Sequence, residues 1–170
     1  MVILVDDNDK PIGEMEEIEA HEKALLHRAF SVFIFNSKNE ILMQQRALGK
    51  YHSAGLWTNT CCSHPFPGEE TLDAANRRLM EEMGMESELK YLFKFKYKAP
   101  FDNNLSEHEI DHVFIGNSDD LPDINLDEVN SYKYMTINEI EEDIKVNPDD
   151  YTAWFKIIFD RFCEEYDFCK

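Results

Sequence analysis

The sequence predicts a mixed α/β (α+β) fold in which one mixed β-sheet lies between helical layers and an N-terminal β-hairpin opens the chain. Three observations carry this. Short β-forming runs come in hairpin-spaced pairs over the first 46 residues. A stretch with helical apolar spacing then ends on a glycine, and later strand-like runs lead into a capping-box helix. There is no internal repeat, low-complexity tract or linker, so residues 1–170 are expected to form a single domain large enough to bury a core.

Taken in order, residues 1–5 and about 11–15 form a short hairpin around the turn-rich Asp6-Asp7-Asn8-Asp9-Lys10-Pro11. Ala29 to Phe35 alternates and is rich in β-formers. Asn36-Ser37-Lys38-Asn39 turns it and Glu40 to Arg46 returns, which reads as a second hairpin. Leu72, Ala75, Leu79 and Met83 repeat at helical spacing, with Gly84 where a C-terminal cap belongs. Residues 89–98 and 108–116 read as longer strands separated by a polar loop, and Tyr132 to Met135 as another strand. Thr136-Ile137-Asn138-Glu139 is a capping box. Pro148 separates its helix from a last one around 149–166, whose stripe of Trp154, Ile157, Ile158, Arg161 and Phe162 is mostly core-facing.

Composition narrows the function. Hydrophobic content of 43% with 12% aromatics describes a folded globular protein. A formal charge of −18, from 35 acidic and 17 basic residues, argues against nucleic acid and anionic membrane surfaces as partners. An anionic substrate must then find a local cationic pocket, with or without metal ions. No apolar run approaches the ~20 residues of a transmembrane helix. Cysteines 61, 62, 163 and 169 lack framework spacing, which implies free thiols and a cytoplasmic location, with Cys163 and Cys169 inert.

The most informative stretch is Trp57-Thr58-Asn59-Thr60-Cys61-Cys62-Ser63-His64-Pro65. If it is extended, Cys62 and His64 face one side and Cys61 the other. A charged helix follows, in which Arg78 and Glu82 form an i, i+4 pair. Taken singly, each of these residues has a plain reading: Cys62 as a small buried hydrophobe, the histidines as satisfied surface or core residues, Tyr97 and Trp154 as core aromatics, and the helix as a solvated salt-bridged face.

The wider pattern changes that reading. Glu69, seven residues, then Arg77-Arg78-Leu79-Met80-Glu81-Glu82-Met83-Gly84-Met85 resembles the Nudix box, a loop-helix-loop whose glutamates hold Mg²⁺ on a diphosphate. It departs from that box in two places. Ser63 stands where the opening glycine belongs, and Arg78 replaces a metal-binding glutamate used in hydrolysis. Together with Leu26-His27-Arg28-Ala29-Phe30-Ser31, Gln45-Arg46, the cysteine segment and Glu107-His108-Glu109, the chain from about residue 2 to 165 resembles the type I isopentenyl-diphosphate isomerases. A Nudix-like fold is implied, and with it interconversion of isopentenyl and dimethylallyl diphosphate.

The resemblance implies roles by position. Cys62 matches the catalytic cysteine and Glu109 its catalytic partner. His21, His27, His64, Glu107 and Glu109 match ligands of a divalent metal (Mg²⁺, Mn²⁺ or Zn²⁺). Glu82 and the Cys62 carbonyl match ligands of a second Mg²⁺ carried by the diphosphate. Tyr97 matches a tyrosine hydrogen-bonded near the carboxylate, and Trp154 an indole over the reacting carbons. Arg46, Lys50 and Arg78 match diphosphate-binding cations, whereas a lysine expected before His21 is replaced by Glu17. His52 and His112 lie outside the matched positions, and His108 points away from the metal if its strand is regular.

These residue types suit the chemistry. Moving an unactivated double bond requires a proton added at one carbon and removed at another, by groups on opposite faces. A carbocation between those steps is stabilised by an indole face, by ~2 kcal/mol when desolvated, and must be shielded from water. The partner is then a small diphosphate, and the chain is expected to be a monomer or homodimer. The competing readings are a Nudix hydrolase of another diphosphate and a silent binding module on the same scaffold.

Overall fold

The computed structural model describes residues 1–100 and 104–165. Residues 101–103 of the expected polar loop, residue 166 of the expected last helix and Cys169 lie outside the described residues.

Strands β1 (Val2–Val5) and β2 (Pro11–Met15) pair antiparallel as anticipated. The Asp6 carboxylate closes their turn, accepting from the backbone N–H groups of Asn8 and Lys10 at 2.8 and 3.0 Å. A short helix, α1 (Glu17–Glu22), follows where no helix was expected. Six residues are too few to show a period, but they set Glu17 and His21 on one face at i, i+4.

Strands β3 (His27–Phe35) and β4 (Glu40–Arg46) correct the expected second hairpin. They pair only at Phe35 and Ile41, next to the turn, and then diverge. The gap is filled by β5 (Trp57–Thr58), which joins β4, and β6 (Cys61–Ser63), which joins β3. Between them the Thr60 hydroxyl accepts the Ile34 N–H at 2.9 Å and donates to the Leu42 carbonyl at 2.6 Å. The Asn59 amide donates to the carbonyls of Val32 and Cys61. Buried side chains thus satisfy backbone groups that a continuous ladder would have paired.

Helix α2 (Thr71–Met83) ends at Gly84, whose φ of 61° is the left-handed conformation that suits glycine. Strands β7 (Lys90–Pro100) and β8 (Ser106–Asn117) form a long antiparallel pair. β8 also runs parallel to β3, with His27 opposite Glu109, and β9 (Val129–Thr136) covers β4. The capping box at Thr136 and Glu139 opens α3 (Ile137–Val146) with both reciprocal bonds present. The last helix, α4 (Ala153–Glu165), begins later than expected. Pro148–Asp150 form a 3-10 turn, and the Thr152 N–H donates to the Trp57 carbonyl at 3.0 Å, so the chain stays extended until that bond is made.

The nine strands among the described residues belong to one mixed sheet. Alternation along β3 sorts its two faces. Phe30, Val32 and Ile34 pack with Leu79 and Met83 of α2, while Phe33 packs with Phe155, Ile158 and Phe162 of α4.

Candidate active site

A cavity of about 320 Å³ lies at the end of the sheet where β3 and β4 part. Its lining includes Cys62 from β6 and His64 just after it, Tyr97 from β7 and Glu107 and Glu109 from β8. Arg78 and Glu82 of α2 and Trp154 of α4 also reach it, so both helical layers contribute.

Three imidazoles converge on one carboxylate oxygen. Nε2 of His64, His27 and His21 lies 3.0, 3.3 and 4.0 Å from Glu109 Oε1. Strand pairing explains this: β8 runs beside β3 with Glu109 opposite His27, and β6 brings His64 from the other edge of β3. One donor atom from each of His21, His27, His64 and Glu109 lies within 4.8 Å of the others. Nε2 of both His21 and His27 is buried without a hydrogen-bond partner, a cost that a bound cation would remove. The set fits a divalent metal with mixed nitrogen and oxygen ligands. Glu107 lies outside this tight group but is tied to it: the Tyr97 hydroxyl lies 2.7 Å from both Glu107 Oε2 and Glu109 Oε2.

Charge divides the two glutamates. Burial alone would raise both. For Glu107, burial and the nearby Glu109 charge push the carboxyl well above its usual range. For Glu109, burial is outweighed by the His27 and His64 imidazoles, which hold it well below. Burial lowers His21 to about 4, with the His64 charge adding to the effect.

Cys61 and Cys62 part as their alternation requires. Cys61 is fully buried under α2, and Cys62 faces the cavity. Burial pushes the Cys62 thiol up to about 12 despite the opposing charge of Arg46, so it stays protonated at neutral pH. The thiol and the Glu109 carboxylate thus hold opposite protonation states in one cavity.

On the α2 side, Arg78 donates to Glu82 Oε1 at 2.5 Å, and the Gln44 amide donates to Glu82 Oε2 at 2.8 Å. Glu128 receives both Arg78, at 3.2 Å, and Lys50. Two of the three expected diphosphate cations therefore share one carboxylate. The third, Arg46, stacks its guanidinium 5.0 Å from the centroid of the Trp154 ring. Glu69 and Arg77 form a bidentate pair that ties the preceding loop to α2.

Sequence reasoning missed several residues of the lining. His52, expected to be bland, stands edge-on to Trp154 with ring centroids 5.7 Å apart, and burial lowers it to about 4. Tyr51, Gln44 and Glu128 carried no motif signal; only their closeness in sequence to Arg46, Lys50 and β9 pointed to the site. Outside the cavity, His112 pairs with Asp9. His108 reaches the Ala24 carbonyl, away from the imidazole cluster as its strand position requires.

Residues 25–155 match the family described as NUDIX domain. The chain is 57% identical over 160 residues to the isopentenyl-diphosphate Delta-isomerase of Pectobacterium atrosepticum, covering 94% of this chain and 89% of that protein. It is 52% identical over 158 residues to isopentenyl-diphosphate Delta-isomerase 2 of Photorhabdus laumondii, covering 93% and 89%. Among solved structures, a Deinococcus radiodurans protein matches with a TM-score of 0.72 at 20% identity, covering 86% of this chain and 89% of that one. A MutT protein from Methanosarcina mazei matches at 0.67 and 20% identity, covering 82% and 94%. At such identities the structural likeness is one of fold.

Proposed function

Because the chain belongs to the NUDIX family and, within it, to the isopentenyl-diphosphate Delta-isomerases, we propose that it works as a metal-dependent enzyme built as one domain over residues 1–170. It interconverts isopentenyl diphosphate and dimethylallyl diphosphate. The observation that carries the reading is the placement of the Cys62 thiol and the Glu109 carboxylate in one cavity beside the Trp154 indole.

Isomerisation adds a proton to one carbon of the double bond and removes one from another, so an acid and a base must serve the same substrate. Cys62 and Glu109 are those groups. The Tyr97 hydroxyl fixes the Glu109 carboxylate from the side away from the imidazoles. The indole of Trp154 offers a π-face to the cation formed between the two proton transfers, and the cavity walls keep water from it.

His21, His27, His64, Glu107 and Glu109 hold a divalent metal, with Mg²⁺, Mn²⁺ and Zn²⁺ all compatible with this donor set. Glu82 and the Cys62 carbonyl hold a Mg²⁺ that arrives with the diphosphate. Bound there, these ions supply charge neutralisation for the diphosphate and a fixed orientation for Glu109. Arg46, Lys50 and Arg78 grip the phosphate oxygens. Arg78, where a hydrolytic NUDIX site carries glutamate, favours holding a diphosphate over cutting it. No described helix is long and apolar enough to cross a membrane. The free thiols of Cys61, Cys62 and Cys163 suit a reducing, cytoplasmic location, and the working unit is a monomer or homodimer.

The test is incubation with isopentenyl diphosphate and Mg²⁺ in deuterated water. Deuterium-labelled dimethylallyl diphosphate is expected. Release of phosphate or pyrophosphate without that product would overturn the isomerase reading in favour of hydrolysis.

A further inference from the structure

We propose that Glu17 and Tyr51 form an outer shell that orients His21 and His64 for metal binding, a role that rests on reading the His/Glu cluster as a divalent-metal site. Each of the three imidazoles points Nε2 at Glu109, which leaves Nδ1 facing outward. The partners of those outer nitrogens are all present. His27 Nδ1 lies 2.8 Å from the Leu25 carbonyl. His21 Nδ1 lies 3.4 Å from the Tyr51 hydroxyl, and His64 Nδ1 lies 3.9 Å from Glu17 Oε2. The circuit closes on itself, because the Tyr51 hydroxyl donates to Glu17 Oε1 at 3.1 Å.

Donor and acceptor bookkeeping gives this chain a direction. A backbone carbonyl only accepts, so His27 carries its proton on Nδ1. The Tyr51 proton is committed to Glu17, so its oxygen accepts from His21 Nδ1–H. The Glu17 carboxylate, an acceptor alone, draws the proton of His64 to Nδ1 across an ion-pair contact. With a cation in place of the 3.0 Å contact between His64 Nε2 and Glu109, all three imidazoles are then held in the one tautomer that leaves an Nε2 lone pair for it.

Local structure explains how these residues meet. Glu17 opens α1 and His21 lies one turn later on the same face. Tyr51 comes from the segment between β4 and β5 and reaches both. A carboxylate at this place cannot grip a diphosphate, and its partners are the His64 imidazole and the Tyr51 phenol. Outer partners of metal-bound histidine typically alter metal affinity by about 10–100-fold, and Glu17 is the charged member of this pair.

The experiment uses Co²⁺ alone as the probe of the full chain, with visible absorption as the readout and a competing chelator to set affinity. The wild-type protein is expected to bind Co²⁺ at this centre. Glu17→Gln weakens binding about tenfold or more and shifts the absorption bands, with thermal unfolding of the metal-free protein unchanged. Tyr51→Phe weakens it in the same direction, and the double variant loses less than the sum of the two, since they act as a unit. Glu17→Asp, which keeps the charge, restores most of the affinity.

Wild-type Co²⁺ affinity and spectrum in both Glu17→Gln and Tyr51→Phe would overturn the outer-shell role while leaving the metal site standing. A metal-free unfolding midpoint that falls in step with affinity would overturn it in favour of a folding role. Failure of the wild-type chain to bind Co²⁺ would instead remove the metal reading and this inference with it.

Discussion

The indole N–H of Trp154 donates to the Thr58 hydroxyl at 3.1 Å, joining α4 to β5 across 96 residues. The ring that should face the reacting carbons is therefore held by the polar wedge that separates β3 from β4. Thr58→Val keeps the shape of the side chain but removes the hydroxyl that accepts from the indole N–H. The fold is expected to lose about 0.5–1.5 kcal/mol. The rate constant kcat for isopentenyl diphosphate should fall about tenfold, with KM much less affected, because a loosened indole serves the cation more than the bound substrate. Steady-state kinetics check this, and an unchanged kcat would remove Trp154 from the chemistry.

Adjacent cysteines should behave oppositely. Cys62→Ala is expected to lower turnover by about 10²-fold or more while the protein stays folded. Cys61→Ala, on the face under α2, should reduce the melting temperature and leave turnover within a few-fold of the parent. Comparable activity of the two variants would contradict the division of roles.

Glu128 holds Lys50 and Arg78 before any substrate arrives. Glu128→Gln should release Lys50, loosen Arg78, which keeps its pairs with Glu81 and Glu82, and lower KM about threefold, the scale of partly exposed ion pairs. This gain should fade as salt is added, because the pairs are only part-buried. A raised KM would mean that Glu128 positions the cations instead of competing for them.

Gly84 ends α2 in the left-handed region, and a Cβ there would stand 2.5 Å from the Asp123 carbonyl oxygen and 2.8 Å from the Asp123 Cβ. Backbone strain alone costs about 1–2 kcal/mol, and the contact with fixed backbone adds to it. Gly84→Ala should therefore lose more than about 2 kcal/mol in urea unfolding. It should also raise KM, since Glu82 lies two residues before the displaced cap and its carbonyl accepts from Asn125 at 2.9 Å.

Stability should fall in acid through Asp9. Burial disfavours its ionised form, but the Lys94 and Arg28 hydrogen bonds and the His112 charge outweigh that and hold it below the usual carboxylate range. A depressed folded-state pKa stabilises the fold above the unfolded value of 3.8, and that contribution disappears as pH falls through the still lower folded value. Asp9→Asn should cost about 2 kcal/mol at pH 7, the Lys94 arm counting least because that side chain is 43% exposed. The gap between parent and variant should close below pH 3.8 in acid-unfolding curves.

Much of the fold was legible because its signals are local. The β1–β2 turn, the Gly84 cap and the Thr136 capping box each rest on residues a few positions apart, and all stand where the sequence puts them. The parting of β3 and β4 was not legible, since alternation in each strand is the same whether they pair with each other or with a third segment. What decided it was the buried Asn59 and Thr60, whose side chains take over backbone bonds. The site divides in the same way. Cys62, His27, His64 and Glu109 sit inside motif stretches that the structure brings together, and Glu17 stands at a position the sequence flagged, whereas Tyr51 and Glu128 reach the cavity only through tertiary packing.

The central strand β3 has Cys62 opposite Ser31 through β6 and Glu109 opposite His27 through β8. The rungs that carry Cys62 and Glu109 thus stand four residues apart along β3. A single inserted or deleted residue between His27 and Ser31 would turn one of the two to the opposite face. This strand should therefore accept substitutions far more readily than changes of length, and a scan of one-residue insertions through the chain should find its sharpest loss of turnover there.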